Sequence, residues 1–151
     1  MSNRLNYLKH PNATQALSAL NTYVRQCGLE QSLIELIFLR VSQLNGCAYC
    51  LDMHTKDARA AGETEQRLYL LQAWWVAPFY SERERAALAW CEAVTHLGPH
   101  GVADDVYEQA LRQFSEAELM NLNMAVILMN GWNRIAIPFK AVPGSYKPAA
   151  H

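Results

Sequence analysis

A chain of 151 residues, of which 51% are hydrophobic and 18% are charged, has the usual size of one domain and can bury a sizeable core. The net charge of −1, with lysines and arginines scattered along the chain, excludes the basic patch that nucleic-acid binding requires. So few charged residues also predict that part of the outer surface is buried in a homo-oligomer.

The chain carries no pattern typical of export or of membrane insertion. Residues 1–9 lack the apolar core of a secretory signal, and the longest apolar stretch, 120–139, is interrupted by asparagines and an arginine. We therefore expect a cytoplasmic protein without a membrane partner. In that reducing compartment four cysteines do not predict a disulfide framework, and a closely spaced pair indicates catalysis or metal binding.

Helix-capping residues and helix-ending pairs recur along the whole chain. Asn12 is the predicted first cap, Asn45-Gly46 ends the second helix, and capping boxes begin at Ser81 and Ser115. The predicted helices are, in chain order, 13–26, 31–44, 47–62, 64–75, 86–96, 104–114 and 115 towards 138. No segment alternates like a strand over more than a few residues. The prediction is one all-α domain over 1–151, with about six to seven helices, an arm at 1–11 and a tail at 143–151.

Two cysteines stand at the start of the third predicted helix, with a histidine one turn further on. If Cys47 is placed at 0°, Cys50 lies at about 300° and His54 at about 340°, so all three share one face. His54 is about 6 Å beyond Cys50 along the axis and about 10 Å beyond Cys47, so we expect it to be the partner of Cys50.

This position favours thiol chemistry. Unsatisfied N–H groups and the helix dipole stabilise a thiolate at a helix N-terminus, and the thiolate is the reactive form of cysteine. Two cysteines at positions i and i+3 can close a disulfide with little rearrangement, so that one attacks and the other resolves the product. A neighbouring imidazole can take the thiol proton and later return it.

Glu35 is the second candidate, because it lies inside the apolar run 33–39. A carboxylate in such a run is costly unless it is paired, hydrogen-bonded or protonated, and such groups are often functional. The turn after this helix folds it back on the next one, so Glu35 is predicted to reach the face that carries His54 or the cysteines. The alternative is a structural partner for Arg40 or for a buried backbone group.

These residues form a pattern that resembles a known family. The pattern consists of Glu35, eleven residues, Cys47-x-x-Cys50, three residues and His54. It is similar to the motif of the alkylhydroperoxidase D (AhpD)-like branch of the carboxymuconolactone decarboxylase superfamily. The flanking segment 40–50 also resembles that branch, and the likeness extends through 84–97 and 130–134.

The resemblance implies an all-α protein that assembles as trimers or hexamers and has no bound metal or prosthetic group. It also implies a thiol-based peroxidase or disulfide reductase, which acts on an organic hydroperoxide or a disulfide and is regenerated by an external dithiol. By position, Cys50 is the peroxide-reactive thiol and Cys47 the resolving one. His54 and Glu35 then form the proton relay that activates Cys50.

Tyr49 is a departure from the family pattern, since well-characterised peroxidase members have a second histidine between the two cysteines. A phenol can pass a proton through its hydroxyl, but it is a poor base near neutral pH. Tyr49 therefore either takes part in the relay or packs in the pocket or at an interface.

Other functions remain open at this stage. The dithiol could serve a redox adaptor or sensor with little peroxide turnover, or the chain could be a lyase of the decarboxylase type, although that branch lacks the dithiol. A zinc site would use Cys47, Cys50 and His54, with Glu35 or His96 as the fourth ligand.

The remaining candidates are interpreted as structural. Cys27 and Cys91 are predicted to be buried packing thiols, and no role is assigned to His96, His100 and His151. An aromatic group fits either an apolar pocket or a subunit contact: Trp74, Trp75, Phe79 and Tyr80. Polar residues on the last helix are expected to form hydrogen bonds between subunits: Asn130, Asn133 and Arg134.

Overall fold

A computed structural model describes residues 4–149, and residues 1–3, 150 and 151, including His151, lie outside the described part. Over the described range the chain forms a single all-helical domain without strands, apart from one isolated bridge between Gly98 and Gly101. Short 3₁₀ turns occur at Tyr7–Lys9 and Leu71–Ala73. The α-helices are α1 (Pro11–Gln26), α2 (Gln31–Asn45), α3 (Ala48–Ala60), α4 (Glu65–Leu70), α5 (Glu82–Thr95), α6 (Asp104–Gln113) and α7 (Glu116–Ala136).

Helix α2 is the centre of the fold. Ten consecutive residues, 33–42, are buried, so this helix is enclosed on every side rather than amphipathic. It packs against α3, α5 and α7, while α1 lies on α7 and α6 lies on α5. Any polar side chain on α2 therefore needs its partner inside the protein. Among residues 4–149, no helix is both long and apolar enough to cross a membrane.

The predicted helix-end signals are confirmed at most boundaries. Ser81 and Ser115 each accept a hydrogen bond from a backbone N–H three residues on, and Glu84 and Glu118 accept one from the cap in return. Gly46 ends α2 in the left-handed conformation, with φ of 70°. These local hydrogen bonds fix where the helices begin and end, which is why the sequence reveals them.

The predicted cap at Asn12 is wrong. Helix α1 begins at Pro11 and is preceded by His10, whose side chain makes no capping hydrogen bond. Proline suits the first position of a helix because its φ is already helical and its missing N–H would have no partner there. Asn12 therefore lies within the first turn.

The fourth helix is shorter than predicted. It ends at Leu70 instead of continuing to Trp75, and the chain then passes through the 3₁₀ turn into an irregular segment. The guanidinium of Arg85 stabilises this segment by donating to backbone carbonyls of Trp74 (3.0 Å), Trp75 (3.3 Å), Ala77 and Tyr80. A side chain from the first turns of α5 thus satisfies carbonyls of this segment that lack a helical partner.

The asparagines of α7 are engaged within the chain, contrary to the expected bonds between subunits. Asn45 donates to the side-chain oxygens of Asn130 (2.9 Å) and Asn133 (3.0 Å). Asn133 is fully buried and donates to Ser42 Oγ at 3.2 Å, and Arg134 donates to the side-chain oxygen of Asn130. This network attaches the C-terminal half of α7 to the end of α2.

Substitution of Gly46 by alanine should destabilise the fold by about 1–2 kcal/mol, because a Cβ disfavours the left-handed conformation. The free space around Gly46 means that the cost comes from the backbone and not from a clash. Urea unfolding measures it, with Gly98→Ala as the control, since Gly98 does not have a positive φ. Equal unfolding free energies for the two variants would contradict this explanation.

Candidate active site

The two cysteines lie at the start of α3, as predicted. Cys47 is the N-cap residue, its sulfur accepts the backbone N–H of Cys50 at 3.4 Å, and the two sulfurs are joined as a disulfide with Cα atoms 5.4 Å apart. Both residues are buried, with exposed fractions of 1% and 2%. The first turn of α3 therefore holds a closed redox pair in a place where a thiolate is stabilised after reduction.

Glu35 and His54 meet between α2 and α3. His54 Nδ1 lies 3.0 Å from Glu35 Oε2, and both side chains are buried. The ring of Phe38 packs against the imidazole, with the centroids 5.0 Å apart. Arg40, the alternative partner considered for Glu35, instead donates to Glu92 at 2.7 Å.

The contact with Glu35 determines which nitrogen of His54 can act as a base. An ionised carboxylate only accepts hydrogen bonds, so Nδ1 carries the hydrogen and Nε2 of the neutral ring carries the lone pair. Within the described part of the chain, Nε2 is buried and has no hydrogen-bond partner. Such an atom is costly unless a substrate, a water or a thiol pairs with it.

A cavity of about 450 Å³ contains His54 and Cys50 in its wall. Three helices and the N-terminal arm contribute to it. Its other lining residues are Tyr7, Leu8, Ser18, Asn21, Thr22, Tyr49, Met53, Met129, Trp132 and Ala136. The lining is mainly apolar with a few hydroxyl and amide groups, which is the usual character of a site for a small organic molecule.

Arg25, near the end of α1, also belongs to this site, although no sequence pattern distinguishes it from a surface arginine. Its Nη1 lies 2.5 Å from Glu35 Oε1, so each carboxylate oxygen of Glu35 has one partner. The guanidinium also lies 5.0 Å from the centroid of the Phe38 ring. Burial raises the pKa of Glu35, but the hydrogen bonds and charges of His54 and Arg25 outweigh it and bring the pKa below its usual value.

A second cavity, of about 540 Å³, lies on the other side of Glu35. Asp57 and Tyr146 face it together with Arg25, and the Tyr146 hydroxyl donates to Asp57 Oδ1 at 2.7 Å. Burial and the neighbouring Asp57 raise the pKa of Tyr146 to about 12. The C-terminal tail is thereby attached to α3, the helix that carries the cysteines.

The side chains considered for the alternative zinc site do not form one metal-binding cluster. Cys47 and Cys50 are bonded to each other, and His96 lines a separate cavity beside the ends of α5 and α7. Over residues 4–149, the group of side chains compatible with a metal consists of Glu35, His54 and Asp57. The guanidinium of Arg25 at Glu35 opposes a further cation there.

The other candidates separate into core and surface. Cys91 is fully buried as predicted, whereas Cys27 is only half-buried, because it follows the end of α1. Trp74 and Tyr80 pack in the core, while Trp75 and Phe79 are exposed and do not line the cavity that contains Cys50. Tyr49 is half-buried in the wall of that cavity.

Replacement of Glu35 by glutamine should remove a pH-dependent contribution to stability. The pKa of Glu35 is lower in the folded protein than its value of about 4.3 in the unfolded chain, so ionised Glu35 stabilises the fold at pH values above about 4.3. This stabilisation is lost as the pH falls through the pKa of the folded protein. The difference in unfolding free energy between the wild type and Glu35→Gln should therefore shrink between about pH 5 and pH 3. Urea unfolding tests this, with the exposed Glu108→Gln as control. A difference that does not vary with pH would contradict it.

Comparison with known proteins identifies the family. The model of the carboxymuconolactone decarboxylase family matches residues 11–93. The uncharacterised protein YdfG of Bacillus subtilis (strain 168) is 41% identical over 138 residues, which cover 91% of this chain and 94% of YdfG. The family-model match spans the positions of Glu35, Cys47, Cys50 and His54.

Solved structures agree with this assignment. ATU0492 of Agrobacterium tumefaciens, a protein of unknown function proposed to be the antioxidant defence protein AhpD, is 42% identical, with a TM-score of 0.91 over 96% of this chain and all of its own. The debrominase Bmp8 shares the fold, with 20% identity and a TM-score of 0.80 over 91% of this chain and 74% of its own. The chain therefore belongs to the carboxymuconolactone decarboxylase family, as an AhpD-like member with a CxxC redox pair.

Proposed function

We propose that the protein is a thiol-dependent peroxidase and disulfide reductase that reduces organic hydroperoxides through the Cys47/Cys50 pair in antioxidant defence. Membership of the AhpD-like family and the disulfide at the start of α3 support a redox role. The observation that carries the peroxidase proposal is the buried Nε2 of His54, which has no hydrogen-bond partner among residues 4–149, in a side chain that lines the same cavity as Cys50. An acceptor in that position suits the proton of a reacting thiol.

In the proposed cycle Glu35 holds the Nδ1 hydrogen of His54, and Nε2 takes the proton of the Cys50 thiol. The thiolate attacks the terminal oxygen of the hydroperoxide, the O–O bond breaks, and the alcohol leaves with the proton from His54. Cys50 is now a sulfenic acid. The Cys47 thiol displaces water from it and forms the disulfide, which an external dithiol reduces by thiol–disulfide exchange.

The cavity beside Cys50 supports an organic substrate rather than hydrogen peroxide alone. Its volume of about 450 Å³ is far larger than a peroxide group, and its walls include the side chains of Met53, Met129 and Trp132. Burial of an alkyl or aryl group against these side chains contributes binding energy that hydrogen peroxide cannot gain.

The proposal includes a homo-oligomer, a trimer or a hexamer, in the cytoplasm. Large apolar side chains are exposed on one face of α7, Met120 (59%) and Ile127 (45%), which lie seven residues apart. Leu97, beside the end of α5, is 64% exposed. Exposed apolar groups of this kind are typical of subunit contacts. The cytoplasm supplies the dithiols that the cycle consumes.

A redox adaptor is the second candidate, and Tyr49 is the observation that favours it. Tyr49 lies in the cavity wall at the position where peroxidase members have a histidine, so the site has one imidazole fewer with which to move protons. An adaptor would exchange its disulfide with a partner protein and turn over peroxide slowly. A lyase of the decarboxylase type is less well supported, because it does not use a dithiol.

One equivalent of cumene hydroperoxide added to the reduced protein should remove two thiols, and peptide mapping should assign them to a Cys47–Cys50 disulfide. Cys50→Ser should abolish turnover with a dithiol reductant, while Cys27→Ser and Cys91→Ser serve as matched controls that stay active. Unchanged turnover in Cys50→Ser would exclude the proposed peroxidase. If all the thiols survive peroxide but react with a disulfide, the adaptor is favoured.

Tyr49→His should increase kcat/KM for cumene hydroperoxide at pH 7 by roughly tenfold, because an imidazole titrates near pH 6.5 and a phenol near pH 10. Stopped-flow measurement of peroxide consumption checks this. Tyr49→Phe is the matched control and should stay close to the wild type if the hydroxyl only lines the cavity. A large loss in Tyr49→Phe would instead show that the phenol takes part in the proton relay.

A further inference from the structure

Arg25 makes the one contact with Glu35 that the proposed cycle does not use. Glu35 Oε2 faces His54 Nδ1 and Oε1 faces Arg25 Nη1, so α1 supplies the partner for the half of the carboxylate that His54 leaves free. The side chain of Arg25 is 29% exposed and that of Glu35 is 9% exposed. The ion pair is therefore screened by solvent less than a surface pair would be.

The position of Arg25 is fixed from several directions. Gln31 donates to the backbone carbonyl of Arg25 at 2.9 Å and accepts from its Nη1 at 3.4 Å. The guanidinium lies over Phe38, the same ring that packs on the imidazole of His54. Arg25 thus contacts both the acid that orients the imidazole and the aromatic side chain that supports it.

The same face of α1 also builds the cavity beside Cys50. Ser18, Asn21 and Thr22 line that cavity, and Arg25 follows one turn after Asn21 and Thr22. The packing of α1 on α7 therefore completes the cavity wall and also places the guanidinium of Arg25 beside Glu35.

We propose that Arg25 is a positioning residue, which acts through Glu35 to decide the nitrogen of His54 that carries the hydrogen. The inference rests on the proposed function of Cys50 and His54. While Arg25 helps to hold Glu35 as a carboxylate, Nδ1 is the donor and Nε2 keeps the lone pair with which it acts as a base. Loss of Arg25 favours the protonated form of Glu35, in which the carboxylic acid donates to Nδ1, the ring hydrogen lies on Nε2, and His54 has no lone pair for the Cys50 proton.

The charged groups around Glu35 explain why its ionisation depends on Arg25. Asp57 offers a second carboxylate within the cluster formed by Glu35 and His54, and the Tyr146 hydroxyl donates to it. Glu63 also faces the second cavity, but Arg67 engages it at 2.9 Å. The negative charge of Asp57 favours the protonated form of Glu35, and the positive charge of Arg25 opposes it. Removal of Arg25 should therefore raise the pKa of Glu35.

The first experiment follows the reactivity of Cys50 in the fully reduced protein, independently of any peroxide. Iodoacetamide alkylation of Cys50 is timed between pH 5 and pH 9 and resolved by peptide mapping. Arg25→Gln should slow alkylation at pH 7 about tenfold and move the midpoint upward by about one pH unit, since one unit corresponds to tenfold. Arg25→Lys, which keeps the charge, should recover most of the rate. Arg112→Gln, on the exposed side of α6, is the matched control.

A double-mutant cycle separates action through Glu35 from a direct field at Cys50 or a loss of packing. Glu35→Gln should slow alkylation at least as much as Arg25→Gln, and the double variant should be no slower than Glu35→Gln within twofold. Independent, multiplying effects would overturn the proposal. An alkylation rate in Arg25→Gln equal to that of the wild type would also overturn it. The same holds if Arg25→Gln and Arg25→Lys lose the same fraction of the alkylation rate. Far-UV circular dichroism and thermal unfolding of each variant identify a folding defect, in which case the lysine variant carries the test.

Turnover provides the second measurement and distinguishes the two proposals. If the wild type reduces cumene hydroperoxide, Arg25→Gln should lower kcat/KM on the order of 10²-fold, as expected for loss of a general base. The acid limb of its pH profile should also move upward, as a raised pKa of Glu35 requires. If the wild type does not turn over peroxide, the proposed peroxidase fails, but the alkylation data still decide the role of Arg25.

Discussion

The hydrogen bond between Glu35 and His54 is the interaction on which the rest of the site depends. A carboxylate on a helix enclosed on every side is expensive to bury, and the protein offsets this cost with two partners from other helices: His54 from α3 and Arg25 from α1. The left-handed turn at Gly46 folds α3 back along α2 and makes the first of these contacts possible. The fold and the chemistry of the site therefore depend on the same packing of α1, α2 and α3.

Much of the fold and part of the site could be predicted from local features of the sequence. Capping boxes and the turn at Gly46 are set by hydrogen bonds between residues close in the chain, so they can be recognised without a structure. Glu35 is conspicuous as an acid in an apolar run, and the register of His54 with Cys50 follows from helical geometry. Each of these signals is contained within one helix or one turn.

The errors and omissions come from contacts between distant segments. Arg25 has the sequence context of an ordinary surface arginine, and only the packing of α1 brings it to Glu35. Arg85 donates to carbonyls of the irregular segment that follows α4, and Asn45 engages the asparagines of α7. In all three cases one side chain satisfies polar groups of another segment, which no local pattern encodes.

The burial of the two sulfurs restricts the molecules that can exchange electrons with them. With Cys47 and Cys50 almost fully covered, a partner protein must present its thiol on a segment narrow enough to enter the cavity between the arm around Tyr7 and the face of α1, or must displace one of these walls. A small dithiol that fits into the cavity meets no such obstacle. The size of the molecules that can reduce the disulfide is therefore linked to the width of this cavity.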